Sequence, residues 1–433
     1  MLHMTQAEII NTLKAIVEIP SVSSDKDHKK DVEKSAEYVQ KLFSDLGLAT
    51  KVAQSKGGQP AVIASTEIDS TKKTILLYAH HDVQPVGELE LWDTDPFVPE
   101  IINGRMYGRG SGDNKAGVIT HHQVVKRLKD DLPVNIKIFI EGEEEIGSPT
   151  MAKFISENKE DLEADVIVIA DSGNIKSGIP TVTTSLRGLV DGTIVVNQPM
   201  KAVHSGLGGG IVPDAFMILS RIISSFHNEK GELQIEGLKA SEGEVFEIPK
   251  EDIKKLLGSK KINLFETDSY SKRLWLEPAL TILAIDAPSL DEAINLLIPK
   301  AKAKVSLRLP PTQDPEIAMQ LLKDHIEMNI PWNADVEFIP ESKGSGVVAN
   351  PEKPFTKKLV KEFKEVWKTE PAYMGVGGSI PFANVFTEQF PDAELVLIGP
   401  GDDEGNAHAP NESVCIEDIE KLIQSLINTI KNF

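Results

Sequence analysis

The fold is decided by the stretch Ile138-Phe139-Ile140-Glu141-Gly142-Glu143-Glu144-Glu145, in which an apolar, β-branched run ends abruptly in carboxylates. Two other strand-like runs end in the same way: residues 74–79 lead into His80-His81-Asp82, and residues 165–170 lead into Asp171. Continuous apolar runs without alternation are typical of parallel strands that are covered on both faces. Open parallel sheets bind ligands outside the carboxyl ends of their strands, so the sequence predicts one site built from several strand ends.

The composition limits the class of protein. The chain has 433 residues, which is more than one hydrophobic core usually organises, so two domains are expected. The formal net charge of -20 argues against nucleic acid as a partner, because phosphate backbones are bound by an excess of Lys and Arg. Cys415 is the only cysteine, which excludes an intrachain disulfide. Neither a secretion signal nor an apolar run of membrane-spanning length is recognisable, so we predict a cytoplasmic protein without a membrane partner.

The hydrophobic pattern divides the chain into three segments. Residues 1–186 contain the buried-strand runs, and residues 348–433 return to that pattern with the apolar strand 395–398, which is followed by His408. We therefore expect both segments to form one α/β domain with a mainly parallel central sheet. In residues 187–347 the strands largely alternate apolar and polar positions, which is typical of an α+β domain with one sheet face exposed. The middle segment is thus predicted to be an insertion.

The strand ends and Gly-rich loops supply a ligand set for two adjacent divalent metal ions. Two such ions need two or three protein ligands each, with one carboxylate that bridges them. The candidate ligands are His80, Asp113, Glu145, Asp171 and His408. Glu144 remains as a free carboxylate that can accept a proton from water. Asp82 lies two residues after His80 and is placed to orient its imidazole.

Each of these residues also has an ordinary structural interpretation. Taken singly, the acids at 143–145 suit a solvated charge run, His80 suits a strand-end imidazole, and the aspartates suit helix caps. Their joint occurrence favours the metal site. The loop Gly108-Arg109-Gly110-Ser111-Gly112 lacks the spacing of nucleotide-binding loops. No Gly-x-Ser-x-Gly motif occurs and Cys415 lies at an ordinary helix approach, so a serine or cysteine nucleophile is not indicated.

Four motifs, in this order, resemble those of the co-catalytic zinc peptidases, a family that includes cytosolic non-specific dipeptidase, carnosinase, glutamate carboxypeptidase, aminoacylase and acetylornithine deacetylase. The motifs are His80-His81-Asp82-Val83-Gln84-Pro85, Gly108-Arg109-Gly110-Ser111-Gly112-Asp113-Asn114-Lys115, Glu141-Gly142-Glu143-Glu144-Glu145-Ile146-Gly147-Ser148 and Ala407-His408-Ala409-Pro410-Asn411-Glu412. The resemblance covers nearly the whole chain. It implies a zinc-peptidase-like catalytic domain that is interrupted at 187–347 by a lid and dimerisation domain.

The resemblance also implies a role for each candidate. The implied metal ligands are His80 and Asp171 for one ion, Glu145 and His408 for the other, and Asp113 as the bridge. Glu144 would then be the general base, and Asp82 would stand behind His80. A cis peptide bond is implied after Asp113, although no proline follows. The implied ions are two Zn²⁺, and Co²⁺ or Mn²⁺ also accept this mixed imidazole and carboxylate set.

In the insertion, Val203-His204-Ser205-Gly206 resembles the lid motif whose histidine polarises the scissile carbonyl, often in the site of a partner subunit. An ordinary turn histidine is the alternative. Arg308 resembles the arginine that binds a substrate carboxylate, for which a bidentate guanidinium is suited. The loop Gly377-Gly378-Ser379 resembles the one whose backbone contacts the same carboxylate. Val376 departs from the family, because dipeptidase-like members commonly carry Glu there, and this leaves the specificity open.

We therefore predict a metal-dependent exopeptidase, either a dipeptidase or a carboxypeptidase, that hydrolyses the peptide bond next to a free carboxylate with a metal-bridging hydroxide. The residues of the 82–85 and 144–148 motifs resemble those of the dipeptidase branch most closely. An N-acyl amino acid deacylase and a non-catalytic binding relative are the alternatives. The expected partner is a small peptide or an N-acyl amino acid. A homodimer through the lid is also expected, because the exposed edge of a lid sheet suits pairing with a second copy.

Overall fold

The computed structural model describes residues 2–378 and 381–433, so Ser379 of the predicted substrate loop lies outside the described residues. The described α-helices are α1 (Leu2–Val17), α2 (Lys29–Ser44), α3 (Lys115–Leu128), α4 (Met151–Glu157), α5 (Lys159–Leu162), α6 (Ser205–Gly208), α7 (Ala215–Ser225), α8 (Lys250–Leu256), α9 (Tyr270–Trp275), α10 (Pro315–Met328), α11 (Pro354–Trp367), α12 (Pro381–Gln389) and α13 (Ile416–Lys431). The described strands are β1 (Ala49–Ala53), β2 (Ala61–Ser65), β3 (Thr74–His80), β4 (Glu100–Ile102), β5 (Arg105–Tyr107), β6 (Asn135–Glu141), β7 (Val166–Ile169), β8 (Thr181–Leu186), β9 (Gly188–Asn197), β10 (Val203–His204), β11 (Ala279–Asp286), β12 (Leu296–Leu297), β13 (Lys300–Leu309), β14 (Val336–Gly344), β15 (Val347–Val348), β16 (Ala372–Val376), β17 (Glu394–Leu397) and β18 (Ser413–Cys415).

The chain forms two compact units. The first comprises the chain up to Thr184, the segment Ala349–Met374 and the chain from Pro381 onward. The second comprises Ser185–Val348 and a short segment that starts at Gly375. The lid and dimerisation role of residues 187–347 stays a prediction. None of the described helices is both long enough and apolar enough to cross a membrane.

The first unit is built on a central sheet whose strand order is β1-β2-β6-β3-β7-β17-β8. The inner strands β6, β3, β7 and β17 pair in parallel, whereas β1, β2 and β8 pair antiparallel to their neighbours. All residues of β6 and β7 are buried, as expected for parallel strands that are covered on both faces. The predicted α/β class with a mainly parallel central sheet is confirmed.

The second unit contains an antiparallel sheet of order β11-β13-β9-β14. Along β9, buried and partly exposed side chains alternate, because only one face of this sheet is covered. Helices α7 and α10 cover that face through a core that includes Ile194, Ile222, Val305 and Leu322. Alternation in the sequence therefore distinguished this unit from the first.

The parallel pairing brings the polar strand ends of the first unit to one edge of the sheet. His80 is paired in register with Glu141, so the ends of β3 and β6 lie side by side. Strand β7 is the other neighbour of β3 and runs into Asp171, while β17 pairs with β7 and leads into the loop that contains His408. The sheet edge thus determines where the candidate ligands meet.

Candidate dinuclear metal site

Two groups of side chains at this edge have the composition of metal sites. The groups are His80, Asp113 and Asp171, and Asp113, Glu145 and His408, and the ligand atoms of each group lie within 4.8 Å of one another. Asp113 belongs to both groups: its Oδ1 lies 3.1 Å from His80 Nε2, and its Oδ2 lies 3.0 Å from His408 Nε2. One carboxylate that offers a different oxygen to each group has the arrangement of a bridging ligand.

The remaining distances complete both groups. Asp171 Oδ1 lies 3.3 Å from His80 Nε2, and Glu145 Oε2 lies 3.1 Å from His408 Nε2. Glu144 Oε2 lies 4.0 Å from His80 Nε2. The structure therefore brings together all of the residues predicted as metal ligands, with the predicted general base beside them. Their roles as ligands and base stay predictions.

Asp82 does more than the sequence indicated. The Nδ1 of His80 lies 3.0 Å from the backbone carbonyl of Asp82 and 3.4 Å from its Oδ1. With the Nδ1 proton held there, the Nε2 lone pair is free for a cation. The carboxylate of Asp82 also accepts the backbone N–H groups of Glu144 (3.3 Å) and Glu145 (3.1 Å). Asp82 thus orients one candidate ligand and fixes the turn that contains another.

The sequence did not indicate the contact between Gln84 and Glu145. The Nε2 of Gln84 donates to the carboxylate Oε2 of Glu145 at 2.8 Å and to the backbone carbonyl of the same residue at 3.0 Å. The two residues are far apart in sequence, and the only signal was the position of Gln84 within the motif at 80–85. Gln84 holds the Glu145 carboxylate in place beside His408.

The loop that contains Asp113, residues 108–114 and hereafter the Asp113 loop, is tied to two strand ends. The peptide bond between Asp113 and Asn114 is cis, as the family resemblance implied. The side chain of Asn114 accepts the backbone N–H of His80 at 3.3 Å and donates to the carbonyl of Ala170 at 2.5 Å. These bonds place Asp113 between the ends of β3 and β7.

The loop that contains His408, residues 402–412 and hereafter the His408 loop, adopts left-handed backbone conformations. Asn406, His408 and Asn411 have φ values of 49°, 64° and 62°. Asn adopts this conformation readily, whereas for His408 it costs roughly 1–2 kcal/mol, so contacts elsewhere in the loop must stabilise it. One anchor is Asp402, whose carboxylate accepts hydrogen bonds from Nη1 and Nη2 of Arg105 at 2.8 and 2.7 Å. The side chain of His408 itself is 56% exposed and is held mainly through its contacts in the candidate metal cluster.

The crowding of acids shifts the pKa values of the cluster. Burial, and next the charge of Asp171, raise the pKa of Glu144 to about 9. Burial also raises the pKa of Asp171 to about 6, although His80 opposes this shift. Burial by itself would lower the pKa of His80, but Asp171 and Asp113 raise it well above 6.5. Hydrogen bonding to Asp113 raises the pKa of His408 to about 10. Glu144 and the two imidazoles therefore hold protons at neutral pH, whereas Asp171 is mostly ionised. Despite burial, hydrogen bonds from His408 and His80 lower the pKa of Asp113.

The donor set fits divalent metal ions. Carboxylate oxygens and imidazole nitrogens are accepted by Zn²⁺, Co²⁺ and Mn²⁺. The Oε1 atom of Glu145 is buried and has no hydrogen-bond partner among the described residues, so it lacks compensation from the protein. Carboxylates also outnumber imidazoles in the cluster, and cations would balance this excess. The first observation supports a cation at the group of Asp113, Glu145 and His408, and the second supports cations in the cluster as a whole.

The other predicted site residues lie in the second unit. His204 is exposed at the end of β10, and its Nδ1 accepts the backbone N–H of Gly206 at 3.0 Å. Arg308 lies on β13, opposite Leu189 of β9. Gly377 and Gly378 follow the end of β16. The substrate contacts predicted for these residues are not tested by their positions.

Comparisons with known proteins show the family of this chain. Residues 76–432 match the model of the peptidase family M20/M25/M40. The chain is 32% identical over 421 residues to the cysteinylglycine-S-conjugate dipeptidase of Corynebacterium striatum, a match that covers 95% of this chain and 92% of that protein. It is 27% identical over 452 residues to the human Beta-Ala-His dipeptidase, which covers 95% of this chain and 87% of that protein.

Solved structures give the same result. The M20 family metallo-carboxypeptidase Sso-CP2 of Sulfolobus solfataricus matches with a TM-score of 0.81 and 28% identity, over 98% of both chains. The di-peptidase Dug1p of Saccharomyces cerevisiae matches with a TM-score of 0.77 and 25% identity, over 99% of this chain and 96% of that one. These matches favour the predicted metal-dependent peptidase over the deacylase alternative.

We expect cation binding at the cluster to release protons. A cation needs the Nε2 lone pairs of His80 and His408, whose raised pKa values keep these imidazoles protonated at neutral pH. The observed affinity should therefore rise with pH between about pH 6 and pH 8, by roughly tenfold per pH unit for each proton released. Calorimetric titration with Zn²⁺ in buffers of different ionisation enthalpy counts these protons. The His227→Ala variant, altered outside the cluster, should release the same number, and a buffer-independent binding enthalpy would contradict the expectation.

Proposed function

Because the chain belongs to peptidase family M20/M25/M40, it is a metal-dependent hydrolase of peptides, and we propose that it removes one residue next to a free carboxylate, as a dipeptidase or a carboxypeptidase. The observation that carries the proposal is the shared carboxylate of Asp113, with Glu144 beside it. The relatives that are named dipeptidases support the first activity, and the metallo-carboxypeptidase structure supports the second.

We assign the metal positions by the two groups of the cluster. His80 and Asp171 would hold one ion, Glu145 and His408 the other, and Asp113 both. When bound, two divalent ions, of which Zn²⁺ is the first choice, polarise the scissile carbonyl and lower the pKa of the attacking water. Asp82 and Gln84 would keep His80 and Glu145 in position.

Glu144 has the position of the proton shuttle. It is not needed as a ligand, its side chain is 17% exposed, and it faces His80 at the edge of the cluster. With cations bound beside it, Glu144 would have a lower pKa, so that its ionised carboxylate could accept a proton from the water whose oxygen bonds to the carbonyl carbon. When the carbon–nitrogen bond breaks, Glu144 returns the proton to the leaving amine. This transfer balances the reaction without another acid or base.

The substrate contacts are proposed in the second unit. We assign the substrate carboxylate to the guanidinium of Arg308 and to the backbone of the loop at Gly377 and Gly378. Val376, which replaces the Glu common in dipeptidase-like members, leaves a side chain without charge at that loop. Because this feature of the dipeptidase-like members is absent, both dipeptides and longer peptides are candidate substrates. A cytoplasmic location is also proposed, with the single cysteine Cys415 in support.

We propose further that the enzyme is a homodimer and that His204 acts in the site of the partner subunit. Because Nδ1 of His204 accepts the N–H of Gly206, the neutral imidazole has its proton on Nε2 and can donate it to a carbonyl oxygen. The second unit also exposes large apolar side chains that suit an interface. They include Leu207 (78% exposed), Ile211 (79%), Leu290 (95%) and Ile294 (71%).

The Glu144→Gln variant should retain metal and lose turnover. The amide keeps the shape of the side chain but cannot accept the proton, so kcat should fall by roughly 10²- to 10⁴-fold. Metal content per chain, measured by mass spectrometry, should equal that of the wild type. The matched Glu145→Gln variant should lose metal as well as activity, because it changes a candidate ligand. A Glu144→Gln enzyme with near-normal kcat would refute the proton-shuttle role.

A substrate panel should separate the activities. We expect cleavage of unmodified dipeptides such as Cys-Gly and β-Ala-His, and slower cleavage, by at least about tenfold, of the same dipeptides with an amidated carboxyl terminus, because Arg308 would lose a charged partner. Longer peptides distinguish a carboxypeptidase from a dipeptidase. Exclusive cleavage of N-acetyl amino acids would support a deacylase instead. No cleavage of any compound by a metal-loaded enzyme would support a non-catalytic relative.

Mixed dimers should test the proposed role of His204. Glu144→Gln and His204→Ala subunits are each expected to be inactive alone. After subunit exchange, activity should rise to roughly a quarter of the wild-type value, because roughly half of the dimers are mixed and each has one competent site. Mixing Glu144→Gln subunits with the double variant Glu144→Gln/His204→Ala is the control and should restore nothing. If exchange is demonstrated and activity stays absent, His204 does not act in the partner's site.

A further inference from the structure

The Asp113 loop and the His408 loop meet at a buried carboxylate that takes no part in the proposed hydrolysis. Glu412, the last residue of the His408 loop, is fully buried. Its two carboxylate oxygens accept hydrogen bonds from four N–H donors of the Asp113 loop. The donors are Gly112 N and Asp113 N to Oε1, at 3.0 Å each, and Gly110 N and Arg109 Nη1 to Oε2, at 3.0 and 2.6 Å. The backbone carbonyl of Glu412 also accepts the N–H of Gly108 at 2.9 Å.

These bonds fix the two candidate ligands that lie on loops. The side chain of Glu412 holds the backbone of Asp113 directly, and its own backbone lies four residues after His408. His80 and Asp171, by contrast, stand at or just beyond the ends of β3 and β7, which the parallel sheet holds in register. The distance between Asp113 and His408 therefore depends on Glu412, whereas the position of His80 depends on the sheet.

The four donors fit two acceptor oxygens at position 412. Four donors converge on two oxygens, and a Gln amide would present one oxygen and an NH₂ group that faces N–H donors. Arg109 compensates the charge of Glu412, because its buried guanidinium donates to Oε2. The guanidinium is itself held in place: it donates to the carbonyl of Pro85 at 3.1 Å and lies over the ring of Trp92 at 5.4 Å. Loss of either partner would leave a buried charge without compensation.

We propose that Glu412 is a positioning residue that sets the separation of Asp113 and His408 and thereby determines the affinity of the second group for its cation. The second group is the one formed by Asp113, Glu145 and His408. The inference rests on the proposed dinuclear site. Without Glu412 the first group keeps His80 and Asp171 on the sheet, whereas the second keeps only Glu145 in a fixed place.

The test compares Glu412→Gln with a matched buried carboxylate. Glu394, at the start of β17 and opposite the site edge, accepts Phe355 N at 3.0 Å, Thr356 N at 2.7 Å and the Thr356 hydroxyl at 2.9 Å. Glu394→Gln therefore removes a similar buried acceptor without touching either loop. Zn²⁺ affinities of the wild type and both variants are measured by competition with a chelator, together with thermal unfolding of each protein.

Glu412→Gln should weaken binding of the second Zn²⁺ by roughly 10- to 100-fold, with a smaller effect on the first. Its kcat should recover in part when Zn²⁺ is raised, which a general loss of folding would not produce. Glu394→Gln should bind both ions as the wild type does. Unchanged affinities in Glu412→Gln, or an equal loss in both variants, would overturn the proposal. If the wild type itself binds fewer than two ions, the proposed dinuclear site is wrong, and the role of Glu412 that rests on it is wrong with it.

A measurement on the wild type covers the case in which Glu412→Gln does not fold. Hydrogen exchange is followed at the amides of Gly110, Gly112 and Asp113 in protein stripped of metal with a chelator. If Glu412 organises the loop, these amides should already exchange slowly without metal, because each donates to a buried carboxylate. Fast exchange that becomes slow only after Zn²⁺ is added would mean that the metal orders the loop, and would overturn the proposal.

Discussion

The site depends on one carboxylate that lies between two imidazoles. Asp113 offers Oδ1 to His80 and Oδ2 to His408, at 3.1 and 3.0 Å, so a small shift of its backbone would disturb both groups at once. A carboxylate on a loop has no sheet ladder to hold it. Its surroundings provide the missing constraint: Asn114 links the loop to the ends of β3 and β7, and Glu412 binds its backbone N–H groups.

The crowding of buried acids that forms the site also carries an electrostatic penalty when no cation is bound. Burial and, next to it, the repulsion between neighbouring acids raise the pKa of Glu144 to about 9, while burial raises that of Asp171 to about 6. An oxygen of Glu145 stays buried without a hydrogen-bond partner among the described residues. Cations would relieve both conditions, so the electrostatic penalty and the membership of a metallopeptidase family point to the same chemistry.

Strands and loops contribute differently to this arrangement. The strand ends supply His80 and, just beyond β7, Asp171, whose positions follow from the parallel register. The loops supply Asp113 and His408, whose positions follow from side-chain anchors such as Asp402 and Glu412. The sheet fixes the strand-end residues by its own register, whereas the loops need buried ion pairs such as Arg105–Asp402 and Arg109–Glu412 that have no direct part in the proposed chemistry.

The sequence by itself determined the buried strands, the polar residues at their ends and the alternating pattern of the second unit, because hydrophobic periodicity is a local property. It did not predict the short strand β18, which pairs with the distant strand β5, as Ser413 does with Tyr107. The structure agrees with the choice of His80 over its neighbour: His80 joins the cluster, whereas Nε2 of His81 lies 2.9 Å from the carbonyl of Pro60.

The supporting contacts were likewise decided by the tertiary structure alone. Gln84 and Glu145 are 61 residues apart, and Glu412 and Asp113 are 299 apart. No periodicity or spacing in the sequence encodes bonds over such separations, because they form only after the sheet has brought the loops together. The sequence thus determined which side chains could bind metal, and the packing of the first unit decided which groups hold those side chains at ligand distances.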